Sequence, residues 1–424
     1  MSAELDLDPV LGPQHKSVPP GLWGRRASDV AVERPAVRDF ATPLLVLDRA
    51  ASDANVALLL AWAAEHGFDL APHGKTTMAP ELWHRLLDAG CSWLTVATPW
   101  QAQVARAAGI DAILLANEVV DANAAAWIAE ELDAHPRFEF ACWVDSAASV
   151  EVLAATAGER PIDVLVEVGA AGGRTGVRSP AEALALAELV VREPRLRLRG
   201  VSGYEGSYGA DRRPATVAAV RGYLDVLVEA ADAVLASGAV VQPIVSAGGS
   251  TWFDLVAEHL APLAGRARLV LRAGAFQAHD DVFYAGNSPL GRATPGAASE
   301  GAAGSAAARA LQPALSVFAR VVSRPEPGLV YLDAGKRDVP SDLDLPVVVQ
   351  ASDGRPLPGA RVTALNDQHA RVELPPELAL EVGEVVLLGV SHPCTAFDRW
   401  RLIAEVEHAR GPDPRILGFV TTVF

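Results

Sequence analysis

The sequence predicts an α/β protein, a (β/α)8 barrel followed by a mostly antiparallel β domain. The barrel is predicted because eight short aliphatic runs alternate with Ala/Leu-rich stretches of helical spacing over roughly 200 residues. The β domain is predicted because after Tyr284 the pattern changes to short strand-like runs separated by turns. We therefore divide the 424 residues into a lead-in (1–40), a barrel (41–284) and a β domain (285–424).

The barrel strands are predicted at runs that are apolar but too short for helices. They cover residues 70–73, 93–97, 112–116, 138–144, 163–168, 196–202, 243–246 and 267–271. Helices are predicted between them, where apolar residues recur every three or four positions. They cover residues 79–87, 99–108, 122–132, 147–157, 180–192 and 215–236. A doubly wound sheet alternates in the same way and stays the alternative.

Outside the barrel the pattern is less regular. Residues 1–40 are polar and proline-rich and predict an extended lead-in, and residues 291–310 predict a loop or insertion because they lack any apolar period. Strands of the β domain are predicted at 315–322, 329–332, 347–350, 361–365, 384–390, 401–407 and 416–423. Residues 42–48 form a further predicted strand, either in this domain or at the rim of the barrel.

Composition excludes several classes of protein. A net charge of −16 disfavours nucleic acid as a partner, because phosphate backbones are bound by clustered Lys and Arg. The apolar runs are shorter than the roughly 18 residues of a membrane span, so no membrane partner is expected. Three cysteines, Cys91, Cys142 and Cys394, are too few for a disulfide framework, and the N-terminus lacks a basic-then-apolar signal, so we expect a cytoplasmic protein.

Candidate reactive residues follow the predicted barrel strands. Reactive groups of such barrels lie at the C-terminal ends of strands, and the first strand ends in His73-Gly74-Lys75, which holds one of only three lysines. The seventh and eighth strands end in small-residue loops that can bind an anion through backbone amides and hydroxyls. A lysine beside a phosphate-binding loop indicates a phosphorylated carbonyl cofactor, and pyridoxal 5'-phosphate fits. Predicted cofactor contacts are Lys75, His73, Arg174, Tyr204, Ser246, Gly248, Gly249, Ser250 and Gly274.

Two residues of the β domain form a candidate metal pair. His392 and Cys394 are two positions apart, so on an extended strand their side chains point to one face and can bind one ion. Two protein ligands leave open positions, which suits a catalytic divalent metal, zinc above all. Gln368 and His369 are predicted to line the same pocket.

Four segments together resemble the family of D-serine dehydratase and D-threonine aldolase. These are Pro72-His73-Gly74-Lys75-Thr76, Arg174-Thr175-Gly176, Ser246-Ala247-Gly248-Gly249-Ser250 and Ser391-His392-Pro393-Cys394-Thr395. The resemblance spans about residues 40 to 424 and implies the alanine-racemase type of barrel found in fold-type III enzymes. It implies that Lys75 binds pyridoxal phosphate covalently and that His392 and Cys394 bind the metal. One departure is Phe276, because relatives favour a tyrosine that bonds the phosphate.

The activity expected from this resemblance is metal-assisted dehydration of a D-3-hydroxy amino acid such as D-serine, giving ammonia and a 2-oxo acid. Cys394 favours the dehydratase, because aldolase relatives have aspartate there. Retro-aldol cleavage of D-threonine, dehydration of D-3-hydroxyaspartate and racemisation stay open, as does a non-catalytic carrier of the cofactor. A homodimer acting on a small amino acid is implied.

Overall fold

The computed structural model describes residues 5–291 and 310–424, which form two compact units. The first contains Leu59–Lys75 and Leu86–Gly274, and the second contains Leu5–Leu58, Thr76–Arg85 and Ala275–Phe424. Only the two end residues of the predicted loop at 291–310 lie within the described parts of the chain. The division differs from the predicted boundaries because the chain crosses between the units several times.

Parallel strands make up the core of the first unit. The first strand of the chain, β1 (Leu44–Asp48), belongs to the second unit, so the strands of the first unit are numbered from β2. They are β2 (Phe68–Leu70), β3 (Leu94–Val96), β4 (Ala112–Glu118), β5 (Glu139–Val144), β6 (Ile162–Val168), β7 (Leu196–Gly203), β8 (Ile244–Ala247) and β9 (Arg268–Leu271). They pair in the order β2-β9-β8-β7-β6-β5-β4-β3, and a parallel bridge between His73 and Thr95 joins the two ends. The predicted barrel is confirmed, with a strand at or next to each of the eight predicted runs, although the first strand ends at Leu70 and not at His73 as predicted.

Helices follow the strands of the ring. The predicted ones are α3 (Pro80–Asp88), α4 (Pro99–Ala107), α5 (Ala122–Ala134), α6 (Ala147–Thr156), α7 (Pro180–Arg192) and α8 (Pro214–Ala236). Side chains of Thr98, Asp121, Ser146 and Ser179 cap four of them by accepting the amide three residues later, which fixes where each helix begins. The sequence patterns did not indicate α2 (Arg49–Glu65), α9 (Phe253–Leu260) or the short α10 (Phe283–Asn287).

Large apolar side chains fill the inside of the ring. Its buried cluster consists of Ala71, Trp93, Leu114, Ala141, Trp143, Leu165, Ile244 and Val270. Such a barrel is a packed core and not a pore, so chemistry is confined to its ends.

Antiparallel strands make up the second unit. They are β10 (Leu315–Glu326), β11 (Leu329–Leu332), β12 (Val347–Ala351), β13 (Arg361–Leu365), β14 (Ala370–Glu373), β15 (Val385–Gly389), β16 (Leu402–Val406) and β17 (Ile416–Thr421). Seven were predicted and β14 was missed. The main sheet has the order β13-β14-β11-β10-β1-β16-β17, and β15 also pairs with β10 and carries β12 on its other side. Residues 42–48 therefore supply a strand of this sheet and not of the barrel, since β1 pairs antiparallel with β10.

The predicted extended lead-in is wrong in part. It contains α1 (Ala27–Val32), and Leu11, Val30 and Phe40 are buried in an apolar cluster with residues of β1 and β16. The short helix was missed because it offers less than two turns of apolar periodicity. Among the described residues, no helix is long and apolar enough to cross a membrane.

Candidate active site

Lys75 lies where the barrel prediction places it, in the single turn Gly74–Thr76 after β2. Gly274, after β9, touches the backbone that leads into this turn. A Cβ on Gly274 would lie 2.5 Å from the carbonyl oxygen of His73 and 2.7 Å from its Cβ. Only glycine allows this approach, so Gly274 positions the segment of Lys75 through close packing.

His73 is surrounded by positive charge. Burial lowers the pKa of its imidazole well below the usual value, and the charges of Lys75, Arg272 and Arg174 lower it further, so the ring is neutral at pH 7. Its Nδ1 atom is buried and makes no hydrogen bond to the described residues. Three cations near one neutral ring create a place that favours an anionic ligand.

Arg272, at the end of β9, is the most deeply placed of these cations. It is 4% exposed, and its Nη1 donates to Ser246 Oγ at 2.6 Å and to Ser202 Oγ at 3.1 Å. Its Nη2 donates to the carbonyl oxygen of Gly203 at 2.6 Å. The hydroxyl of Ser246 thus positions Arg272, a role that the sequence analysis did not predict.

Arg174 and Tyr204 lie together, although 30 positions separate them in the sequence. The guanidinium carbon of Arg174 is 4.9 Å from the centroid of the Tyr204 ring, a cation–π contact. Tyr204 directly follows β7, so this contact brings Arg174 to the end of a barrel strand. The predicted contacts of both side chains with a cofactor stay predictions.

The glycine loop after β8 binds an anion that belongs to the chain itself. Glu205 is fully buried, and its two carboxylate oxygens accept the amides of Gly249 at 2.6 Å and Gly248 at 3.1 Å. A positive φ of 95° at Gly248 helps to direct these amides. Phosphate binding by the two amides stays a prediction, and it would require Glu205 to release them. Ser250 is the next residue of the loop.

Three carboxylates that the sequence analysis missed converge in the barrel. Glu118 ends β4, Asp145 follows β5 and Glu167 lies in β6, and their oxygens lie within 4.8 Å of one another. Burial, a hydrogen bond with Glu167 and the charges of Glu167 and Asp145 raise the pKa of Glu118 to about 8. Glu118 is therefore protonated at pH 7. The sequence could have indicated these carboxylates by their positions, because all three residues are at or near the C-terminal ends of predicted barrel strands.

His392 and Cys394 converge, but the predicted extended strand is wrong. They follow β15 in a turn, and Cys394 begins the one-turn helix α11 (Cys394–Phe397). The two side chains share a hydrogen bond. Although burial opposes the charged imidazole, the hydrogen bonds and charges of Cys394 and Asp342 raise the pKa of His392 to about 9. Cys394 Sγ also lies 3.5 Å from the hydroxyl of Thr76, the residue after Lys75.

Gln368 and His369 lie in the exposed turn between β13 and β14. The ring of His369 meets the edge of Tyr331 at 6.5 Å between centroids. Their predicted contact with substrate stays a prediction.

The residues present fit the two groups that the sequence predicts. Lys75 supplies an amine, and the charges of Arg174 and Arg272 suit an anionic cofactor, as does the buried Nδ1 of His73, which has no partner in the part of the chain that the structure describes. An imidazole nitrogen and a thiol sulfur that already touch are a donor set that zinc accepts.

Comparison with known proteins assigns the family. A family model described as the alanine racemase N-terminal domain matches residues 47–261, and one described as a putative serine dehydratase domain matches residues 314–406. D-threonine aldolase of Arthrobacter sp. is 30% identical over 365 residues, which cover 84% of this chain and 86% of that protein. The chain belongs to the D-serine dehydratase and D-threonine aldolase family. This membership supports pyridoxal phosphate as cofactor and lyase chemistry in the broad sense.

Other similar proteins include a dehydratase and solved structures with the same fold. D-threo-3-hydroxyaspartate dehydratase of Delftia sp. (strain HT23) is 29% identical over 214 residues, 49% of this chain and 55% of that protein. The crystal structure of D-threonine aldolase from Filomicrobium marinum superposes with a TM-score of 0.76 at 25% identity, over 92% of this chain and 97% of that one. The Delftia dehydratase superposes with a TM-score of 0.69 at 23% identity, over 90% and 99%. These likenesses confirm the alanine-racemase type of barrel with a β domain.

Proposed function

We propose that the protein is a pyridoxal phosphate-dependent, metal-assisted lyase that removes water from D-3-hydroxy amino acids such as D-serine. The products are ammonia and a 2-oxo acid. The observation that carries the proposal is the pairing of His392 with Cys394 in a family of lyases. Solved structures of D-threo-3-hydroxyaspartate dehydratase include alanine variants of one histidine and of one cysteine two positions later, the second in metal-free form. That spacing equals the spacing of His392 and Cys394.

Lys75 holds the cofactor and then acts as the base in this proposal. Pyridoxal phosphate, when bound, supplies an electron sink for the charge that forms at the substrate Cα. Nζ of Lys75 takes the Cα proton, because a neutral amine is a competent base and lies at the end of a barrel strand. The positive charges of Arg174 and Arg272, both close enough to affect His73, would hold anionic groups of the cofactor in place.

His392 and Cys394 assist departure of the β-hydroxyl. A divalent metal bound by the imidazole and the thiolate would supply Lewis acidity towards an oxygen that leaves poorly as hydroxide. Within the second unit, Sγ of Cys394 lies 3.5 Å from the hydroxyl of Thr76, which helps to hold this metal ligand in place.

Retro-aldol cleavage is the second candidate. It is favoured by the extent of the match to the Arthrobacter D-threonine aldolase, which covers 84% of this chain. The same residues would serve, but the Cα–Cβ bond would break in place of Cα–H, giving glycine and an aldehyde.

The test is product identification with purified protein and pyridoxal phosphate. D-serine, D-threonine and D-threo-3-hydroxyaspartate, with their L isomers as controls, are incubated with added zinc or with chelator. Our proposal predicts equal amounts of ammonia and 2-oxo acid from a D substrate, lost with chelator and in Lys75→Ala. Glycine and aldehyde in equal amounts would establish the second candidate, and turnover of none of the 3-hydroxy amino acids would overturn both.

A further inference from the structure

A loop of the second unit lies against the imidazole of the metal pair. Asp342 lies between β11 and β12, and its Oδ2 accepts a hydrogen bond from Nδ1 of His392 at 2.7 Å. Its other oxygen, Oδ1, accepts the hydroxyl of Thr395 at 2.6 Å. Both oxygens of this carboxylate are therefore used to fix groups on either side of Cys394.

The loop itself is anchored to the residue before His392. Ser391 is fully buried, and its hydroxyl donates to the carbonyl oxygens of Asp344 at 2.7 Å and of Pro340 at 3.4 Å. Trp400 Nε1 donates to the carbonyl oxygen of Asp338 at 2.9 Å. Asp342 thus sits on a stretch of chain held at both ends, so its carboxylate has a fixed position relative to the imidazole.

The contact determines which ring nitrogen is available. Because Nδ1 of His392 is engaged by Asp342, Nε2 is the nitrogen left for a metal. Histidine ligands of metals commonly donate their second ring N–H to a carboxylate, which fixes the ring orientation and makes the ligand more basic. We propose that Asp342 is a positioning residue of the metal site, which holds His392 so that Nε2 and not Nδ1 binds the ion.

This inference rests on the proposed metal function of His392 and Cys394, and it adds a residue that no sequence motif marks. Asp342→Ala removes both acceptors, and Asp342→Asn keeps an acceptor for Nδ1–H but removes the charge. Asp344→Asn is the matched control. It removes a charge from the same loop, its side chain accepts the amide of Leu345, and its backbone carbonyl still accepts the hydroxyl of Ser391.

Zinc affinity of the purified, chelator-treated protein is measured by competition with a chromophoric chelator. Alanine at position 342 should weaken zinc binding about 10- to 100-fold, as is usual for carboxylates behind a metal-bound histidine. Asparagine should weaken it less, and Asp344→Asn should bind as the wild type does. Visible absorption of the cobalt-loaded protein gives a second readout, since a misplaced imidazole changes the cobalt bands while a purely structural role does not.

The results separate this inference from the proposed function. If wild-type protein binds no zinc through His392 and Cys394, the proposed metal function fails. If the wild type binds zinc but Asp342→Ala binds it within threefold as tightly with an unchanged cobalt spectrum, the role of Asp342 alone is overturned. Should Asp342→Ala fold poorly by circular dichroism, Asp342→Asn and a zinc-loaded crystal structure decide. Coordination through Nε2 supports the inference, and coordination through Nδ1 refutes it.

Discussion

Removal of the Glu205 carboxylate tests how the glycine loop is held. Glu205→Ala leaves the buried amide of Gly248 and the half-buried amide of Gly249 without their acceptor. A hydrogen bond to a charged acceptor contributes about 1.5–3 kcal/mol, so two contribute about 3–6 kcal/mol. Water that enters the vacated space recovers part of this, and we expect the free energy of unfolding to fall by about 2–4 kcal/mol.

Calorimetry and urea unfolding monitored by circular dichroism measure the loss. For a unit of this size, the melting temperature should fall by roughly 5–15 °C. Glu205→Gln keeps one carbonyl oxygen but turns an amino group towards the second amide, so its loss should be intermediate. Glu188→Ala, on the exposed face of α7, is the control and should change stability little. An unfolding free energy of Glu205→Ala within 0.5 kcal/mol of the wild type would refute this account of the loop.

Three further substitutions probe the barrel end. Glu118 keeps a proton in the folded state between its ordinary pKa of 4.5 and about 8, so its contribution to stability falls as pH rises through that window. Glu118→Gln should therefore gain stability relative to wild type towards pH 8 in parallel melts, and equal pH slopes would contradict the raised pKa. Gly274→Ala should cost about 1–3 kcal/mol through its clash with His73 and weaken cofactor binding measured by fluorescence quenching. Ser246→Ala should cost about 1.5–3 kcal/mol in urea unfolding, because Arg272 loses an acceptor, and no loss would argue against that contact.

Periodicity was sufficient to predict the barrel. The eight parallel strands are short and mostly apolar, and Thr98, Asp121, Ser146 and Ser179 are capping residues that mark where four helices begin, so the alternation is visible in the sequence. The second unit was harder, because β1 pairs with β10 more than 260 positions later in the chain. The local sequence of residues 42–48 does not indicate which sheet they join.

Within the candidate site, the sequence indicates where a residue lies when its position along a strand decides its place. Lys75 follows β2 and Gly274 follows β9, as the alternation of strands and helices predicts, while their contacts with a cofactor stay predictions. Prediction failed for Glu205 and Asp342, because each acts through a partner from a different part of the chain. The sequence also did not indicate that the hydroxyl of Ser246 accepts from Arg272, since hydrogen-bond partners depend on tertiary packing and not on a motif, and its predicted contact with a cofactor stays a prediction.

The most direct measurement of the central claim is the site of cofactor attachment. Protein purified from cells supplied with the vitamin is reduced with borohydride, digested and mapped by mass spectrometry, with Lys75→Ala as control. The account predicts a pyridoxyl phosphate adduct on the peptide that contains Lys75 and none on the peptides of the other lysines, Lys16 and Lys336. An adduct confined to Lys16 or Lys336, or an unmodified Lys75 in protein that contains the cofactor, would contradict it.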